Sequence, residues 1–164
     1  MKVFLVRHAI AHARSRARWP NDALRPLTPA GKRKFRKAAR GLATALPTSA
    51  ALLSSPFVRA RQTAELLAAA LGRKKIVEAR ELASGESAKE VFTMLRARKD
   101  EAVVLVGHEP NLSTLLSACL HEHGRLKIDF KKGGAACIEF TGRVEPGRAC
   151  LHWFLPPRVL RGLR

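Results

Sequence analysis

Two uninterrupted apolar runs, each closed by a histidine, constrain this chain more than any other feature. Val3-Phe4-Leu5-Val6 leads into Arg7-His8, and Ala102-Val103-Val104-Leu105-Val106 leads into Gly107-His108-Glu109-Pro110. Apolar runs without alternation fit strands buried on both faces, the habit of parallel strands covered by helices. In open sheets of that kind, ligands bind in the crevice beyond the carboxyl ends of the strands. A cation and two imidazoles delivered there mark a candidate site. One histidine after a strand is more often a satisfied buried group, but two in matching contexts shift the weight toward function.

The rest of the chain supplies helices and further strands. Ala9 to Pro26 is polar and Arg-rich, with His12, Arg14, Arg16, Arg18 and Asn21-Asp22, and is expected as a loop along one side of the crevice. Thr28-Pro29 reads as the N-cap and first position of a helix whose Phe35, Ala39, Leu42 and Leu46 form an apolar stripe, ended by Pro47. Ala50 to Leu53 is a third short strand, stopped by Ser54-Ser55-Pro56. Phe57 to Leu71 has a helical pattern with Gly72 as its stop, and its first turns carry Arg59, Arg61, Gln62 and Thr63. Unpaired N–H groups at such a start favour an anion.

Ile76-Val77 suits an edge strand leading to Glu81, and Ser87 with Glu90 forms a capping-box pattern for a helix to about Ala97. Asn111 to about His121 reads as a helix beginning beside His108. Ala135–Phe140 and Ala149–Phe154 read as an antiparallel pair, with Pro156-Pro157 closing the ordered fold. The expectation is an α/β fold in a single domain over residues 1–164, with 155–164 as a C-terminal tail.

Charge narrows the partners. With 31 Lys and Arg against 13 Asp and Glu, the net charge of +18 attracts phosphoesters, acidic protein faces or other polyanions. Aromatic residues at 5% offer no base-stacking platform, which argues against nucleic acid. The amino terminus lacks the apolar core of a signal peptide and no window reaches membrane-span length, so a cytoplasmic chain with no membrane partner is expected. Cys119, Cys137 and Cys150, odd in number, read as free thiols. His121-Glu122-His123 beside Cys119 is a weak metal candidate, because helix neighbours two apart diverge.

Arg7, His8, Arg59, His108 and Glu81 are thus the residues gathered at one sheet edge, and two guanidiniums with two imidazoles suit a tetrahedral dianion such as a phosphoryl group. Neither a serine-hydrolase arrangement nor a nucleotide P-loop is present. Leu5-Val6-Arg7-His8-Ala9, Arg25-Pro26-Leu27-Thr28-Pro29-Ala30-Gly31, Ser55-Pro56-Phe57-Val58-Arg59-Ala60-Arg61-Gln62-Thr63-Ala64 and Val106-Gly107-His108-Glu109-Pro110 resemble, in order and spacing, the histidine phosphatase superfamily. The short length and lack of an inserted lid domain are most similar to the small bacterial SixA-type phosphohistidine phosphatases.

The resemblance implies a three-layer α/β/α sandwich with a mainly parallel, phosphoglycerate-mutase-like sheet. It implies His8 as a nucleophile forming a phosphohistidine intermediate, with Arg7, Arg59 and His108 binding phosphate oxygens and no metal or cofactor. Glu81 stands where larger members place their acid, and Ala9 departs from the glycine often found after the Arg-His pair. The implied substrate is a protein phosphohistidine, with an acidic partner surface compatible with the charge. A small-molecule or oligophosphate phosphomonoesterase, or a basic binding module on the same fold, are the alternatives.

Overall fold

The computed structural model describes residues 1–72, 75–122 and 126–163, and in it the two histidine-terminated runs are neighbouring strands. Strand β1 (Lys2–Arg7) and strand β4 (Ala102–Gly107) pair in parallel, with Lys2 opposite Ala102 and Arg7 opposite Gly107. Their ends are therefore level, and His8 and His108 emerge side by side. On its far edge β4 pairs in parallel with β2 (Ala51–Ser54), which pairs in parallel with the short β3 (Val77–Glu78). On the other side β1 pairs antiparallel with β5 (Ala135–Phe140), and β5 with β6 (Ala149–Leu155), giving the order β3-β2-β4-β1-β5-β6.

Alternate residues of the central strands feed two cores. Phe4, Val6, Val104 and Val106 pack with α1 (Pro29–Ala45) and α2 (Val58–Ala70). Val3, Leu5, Val103 and Leu105 pack with α3 (Ala88–Arg96) and α4 (Asn111–Leu120). The runs are unbroken in sequence because both faces of the sheet are buried, at about 25 cal/mol for each Å² of apolar surface removed from water. The result is the expected three-layer sandwich. The chain leaves β1 for a helix on one face and β4 for a helix on the other, so a crevice opens between their ends.

Local chemistry sets the boundaries near that crevice. Thr28 Oγ1 accepts the Gly31 N–H at 2.9 Å, with Pro29 at the first helical position of α1. Ser87 and Glu90 make the reciprocal capping box of α3, and Gly72 follows α2 with φ +65°. Gly31 lets the segment after β1 lie directly on α1: a Cβ there would stand 2.1 Å from the Ile10 carbonyl oxygen.

One expectation is corrected. Order does not end at Pro156-Pro157, and residues from 155 on do not form a loose tail. Leu155 is the last residue of β6, and Pro157–Leu160 form a short helix, α5, whose Leu160 is fully buried in the core beside α1. Proline is tolerated at a first helical position, so Pro157 opens this turn instead of stopping the chain. Among the described residues no helix is long and apolar enough to cross a membrane.

Candidate active site

The residue after β1 is fixed by its own backbone. His8 is only 6% exposed, and its Nδ1 lies 2.7 Å from the Ala9 carbonyl oxygen. A carbonyl only accepts, so Nδ1 carries the proton and Nε2 keeps its lone pair. Burial, opposed by that hydrogen bond and reinforced by Arg59, Arg7 and Lys132, pushes the imidazole down to about 3. At neutral pH His8 is a neutral ring with a basic nitrogen to offer. The Ala9 N–H in turn donates to Thr63 Oγ1 at 3.0 Å, and Thr63 donates to the Arg59 carbonyl at 2.7 Å. The strand end is thus tied to the turn of α2 that carries Arg59.

His108 is held differently. Its Nε2 lies 2.8 Å from Ser55 Oγ, which also accepts the Phe57 N–H at 3.3 Å. Ser55 can give its hydroxyl proton to Nε2, and in that arrangement the His108 proton sits on Nδ1, which is buried without a partner in the protein. Burial first, then His8 and Arg59, hold this imidazole down to about 2. The two rings stand 5.1 Å apart between centroids. In that arrangement one presents a lone pair and the other an N–H.

The arginines complete the walls. Arg7 donates through Nη1 to the Phe130 carbonyl, and Arg59 lies 2% exposed with its guanidinium 4.9 Å from the centre of the Phe57 ring. Arg7 Nε and Arg59 Nε are, like His108 Nδ1, buried without a protein partner. Buried donors rarely go unmatched, and three in one place fit the oxygens of a tetrahedral oxyanion. Arg61 is instead half-exposed and paired with Glu65 at 3.3 Å, one turn along the helix.

Glu81 sits in a 3-10 turn, Arg80–Leu82, half-buried and lining a small cavity with His108 and Asn111. All five sequence-predicted site residues are therefore brought to one end of the sheet. Two features escaped the sequence reading. Ser55, placed only within a motif, sets the His108 ring, and Asp22 crosses the site to bind Arg59 Nη1 at 3.1 Å and Arg25 Nε at 2.8 Å. The Arg25 hydrogen bond, with Arg59 and Arg14 adding to it, holds the Asp22 carboxyl below the usual carboxylate range. Asp22 had one available signal: it is the first acidic residue of the chain, and the next is Glu65.

His123 of the weak metal candidate lies outside the described residues, and among those described no group of three or more His, Cys, Asp or Glu is placed to hold a metal. Cys119, Cys137 and Cys150 are free, the first two buried.

Comparison with known proteins extends this geometry. The model of the histidine phosphatase superfamily, branch 1, matches residues 3–86. An uncharacterized protein of Picosynechococcus sp. is 34% identical over 137 residues, covering 82% of each chain. The protein histidine phosphatase SixA, solved with tungstate, superposes with a TM-score of 0.82 at 26% identity, covering 98% of this chain and 99% of that one. A SixA structure from Agrobacterium tumefaciens, assigned as a phosphohistidine phosphatase, gives 0.76 at 28% identity over 95% and 97%. The fold alone is shared with a phosphoserine phosphatase of Entamoeba histolytica, with a TM-score of 0.71 at 16% identity over 96% and 98%.

Proposed function

The protein belongs to the histidine phosphatase superfamily, whose members are phosphatases, and we propose that it removes phosphate from protein phosphohistidine through a phosphoryl group carried on His8. The observation that carries the reading is the His8 hydrogen bond to the Ala9 carbonyl, which leaves Nε2 unprotonated inside a wall of cations. Nε2 attacks phosphorus in line, and the electron pair of the breaking bond leaves with the departing group. Arg7, Arg59 and the Nδ1–H of His108 hold the phosphoryl oxygens as charge builds on them. Water then attacks the phosphorus of phospho-His8, and the P–N electrons return to Nε2.

The two similar SixA structures support phosphohistidine as the substrate class, and bound tungstate in one of them is a tetrahedral oxyanion of the kind this pocket suits. The protein is proposed to act as one domain in the cytoplasm, where phosphorylated proteins would meet its positive field. A second reading, an alkyl phosphomonoesterase, is favoured by one observation: Glu81 lines a cavity with His108, where a carboxylic acid would serve a poor leaving group.

Substrate profiling separates the two. Phosphohistidine peptide, an aryl phosphate, nucleotides and short polyphosphate are compared for wild type and Glu81→Gln. The proposal expects phosphohistidine to be the best substrate and to slow only modestly in Glu81→Gln, because a protonated imidazole leaves without a placed acid. Preferred hydrolysis of an alkyl phosphate, lost by about 10²–10⁴-fold in a folded Glu81→Gln, would establish the second reading. Binding of polyanions that salt abolishes, with no turnover at any ionic strength, would leave only a binding module on this fold.

A further inference from the structure

We propose that Asp22 is a specificity-determining residue, whose carboxylate at the mouth of the site selects a cationic, N–H-bearing leaving group over one that departs as an oxyanion. This deepens the phosphohistidine reading and rests on it.

The carboxylate is placed, not adrift. Arg25, itself only 7% exposed, donates to Asp22 Oδ1 at 2.8 Å and to the His12 carbonyl at 2.7 Å, so the group that holds Asp22 is anchored at its other end. Arg59 Nη1 reaches both the Asp22 backbone oxygen, at 2.9 Å, and Oδ2, at 3.1 Å. Asp22 keeps 39% of its side-chain exposure, whereas His8 and Arg59 are buried, so the carboxylate faces the opening above them. Arg14, 3.9 Å away and 80% exposed, adds little at that distance in water.

A carboxylate lodged on one of its two arginines braces that guanidinium but costs an oxyanion site part of its attraction for phosphate. A negative charge beside Arg59 competes for the guanidinium and repels a phosphate dianion. It is also isolated in sequence: every other charged residue before Glu65 is a lysine or arginine. A compensating gain exists for one kind of substrate.

In-line attack by buried His8 requires the leaving group to lie on the side of phosphorus away from His8, toward the opening. When phosphohistidine reacts with its second ring nitrogen protonated, the new His8–P bond forms as the old P–N bond breaks, and that electron pair neutralises the imidazolium. No external proton is consumed. Asp22 accepts the ring N–H and favours the protonated, better-leaving form of the substrate. An alkoxide or phenoxide forming in the same place would meet the same charge as repulsion.

The test is Asp22→Asn and Asp22→Glu against wild type, reading kcat/KM for a phosphohistidine peptide and for p-nitrophenyl phosphate, and inhibition by inorganic phosphate. Expected for Asp22→Asn is a fall of about tenfold or more with phosphohistidine, a rise with the aryl phosphate, and tighter inhibition by phosphate. Asp22→Glu should restore much of the phosphohistidine preference. If Asp22 merely braced Arg59, both activities would fall together and phosphate would inhibit less; that result in a stably folded Asp22→Asn overturns this inference alone. Wild-type protein active on the aryl phosphate but inert toward phosphohistidine would overturn the parent reading instead.

Discussion

The ends of β1 and β4 look alike in sequence and do opposite things in space. Each strand is a buried apolar run, they lie in register, and each hands a histidine to the same crevice. Yet His8 gives its Nδ1 proton to a backbone carbonyl and keeps Nε2 open, while His108 has its Nε2 taken by Ser55 and its Nδ1 buried without a protein partner. The difference lies in one partner atom per ring. In the proposed mechanism that difference divides a pair of neutral imidazoles into a nucleophile and an oxyanion donor by hydrogen bonding, without either ring being charged.

The sharpest way to break the comparison is to delete each ring in turn. His8→Ala should reduce turnover to background, a loss of about 10⁴-fold or more, because in the proposed mechanism no other group replaces it as nucleophile. His108→Ala should retain the covalent route and lose about 10²–10³-fold, the usual cost of one oxyanion donor. Single-turnover rates on the same phosphohistidine peptide compare them, with melting curves as the check on folding. Equal losses would erase the division of labour.

The arginines sharpen the same contrast between buried and solvated copies of one residue type. Arg59→Ala should cost about ten- to a hundredfold in kcat/KM, from loss of charge-assisted contacts worth about 1.5–3 kcal/mol. Arg61→Ala, which removes an exposed pair with Glu65, should change kcat/KM by less than about twofold.

Much of this was legible in the chain. Strands β1 and β4 were readable because burial on both faces removes polar residues from the sequence itself, and α1 and α3 announced themselves through Thr28-Pro29 and Ser87-Glu90. Arg7, His8, Arg59 and His108 were readable because they sit at element ends with motif spacing. What could not be read was which ring nitrogen is free, since Ser55 is 53 residues from His108 in sequence and meets it only once β2 and β4 pair. Asp22 was hidden for the same reason, its Arg59 partner lying 37 residues on. The helix after Pro156 was missed because paired prolines read as a stop until α1 is present to receive Leu160.

Ser55→Ala probes the partner atom directly. Losing the hydroxyl frees His108 to change tautomer, and turnover should fall by up to about tenfold, in line with one hydrogen bond of about 0.5–1.5 kcal/mol. The Ser55→Ala effect should vanish in a His108→Ala background, which a double-mutant cycle measures. An additive cycle would show that Ser55 acts elsewhere.

The smallest effect concerns pH. Both rings are held well below the usual 6.5, to about 3 and about 2, chiefly by burial. Above about pH 6.5 the rings are neutral in folded and unfolded chains alike, so their contribution to stability is constant. Below it the unfolded chain binds protons that the folded rings refuse, and stability falls as pH drops toward 3. Ring NMR signals of His8 and His108 should therefore not titrate between pH 8 and about pH 5, while Tm declines with acid over that range less steeply in a His8→Asn variant.

The central claim is that His8, and not its neighbour, carries the phosphoryl group. Rapid acid-free quenching of a turnover mixture, followed by peptide mapping by mass spectrometry, locates the intermediate. The account predicts an alkali-stable, acid-labile phosphoryl group on the peptide containing His8, absent in His8→Ala and accumulating in variants that slow its hydrolysis. A phosphoryl group mapped to His108 or to Ser55 in the wild-type protein would contradict it.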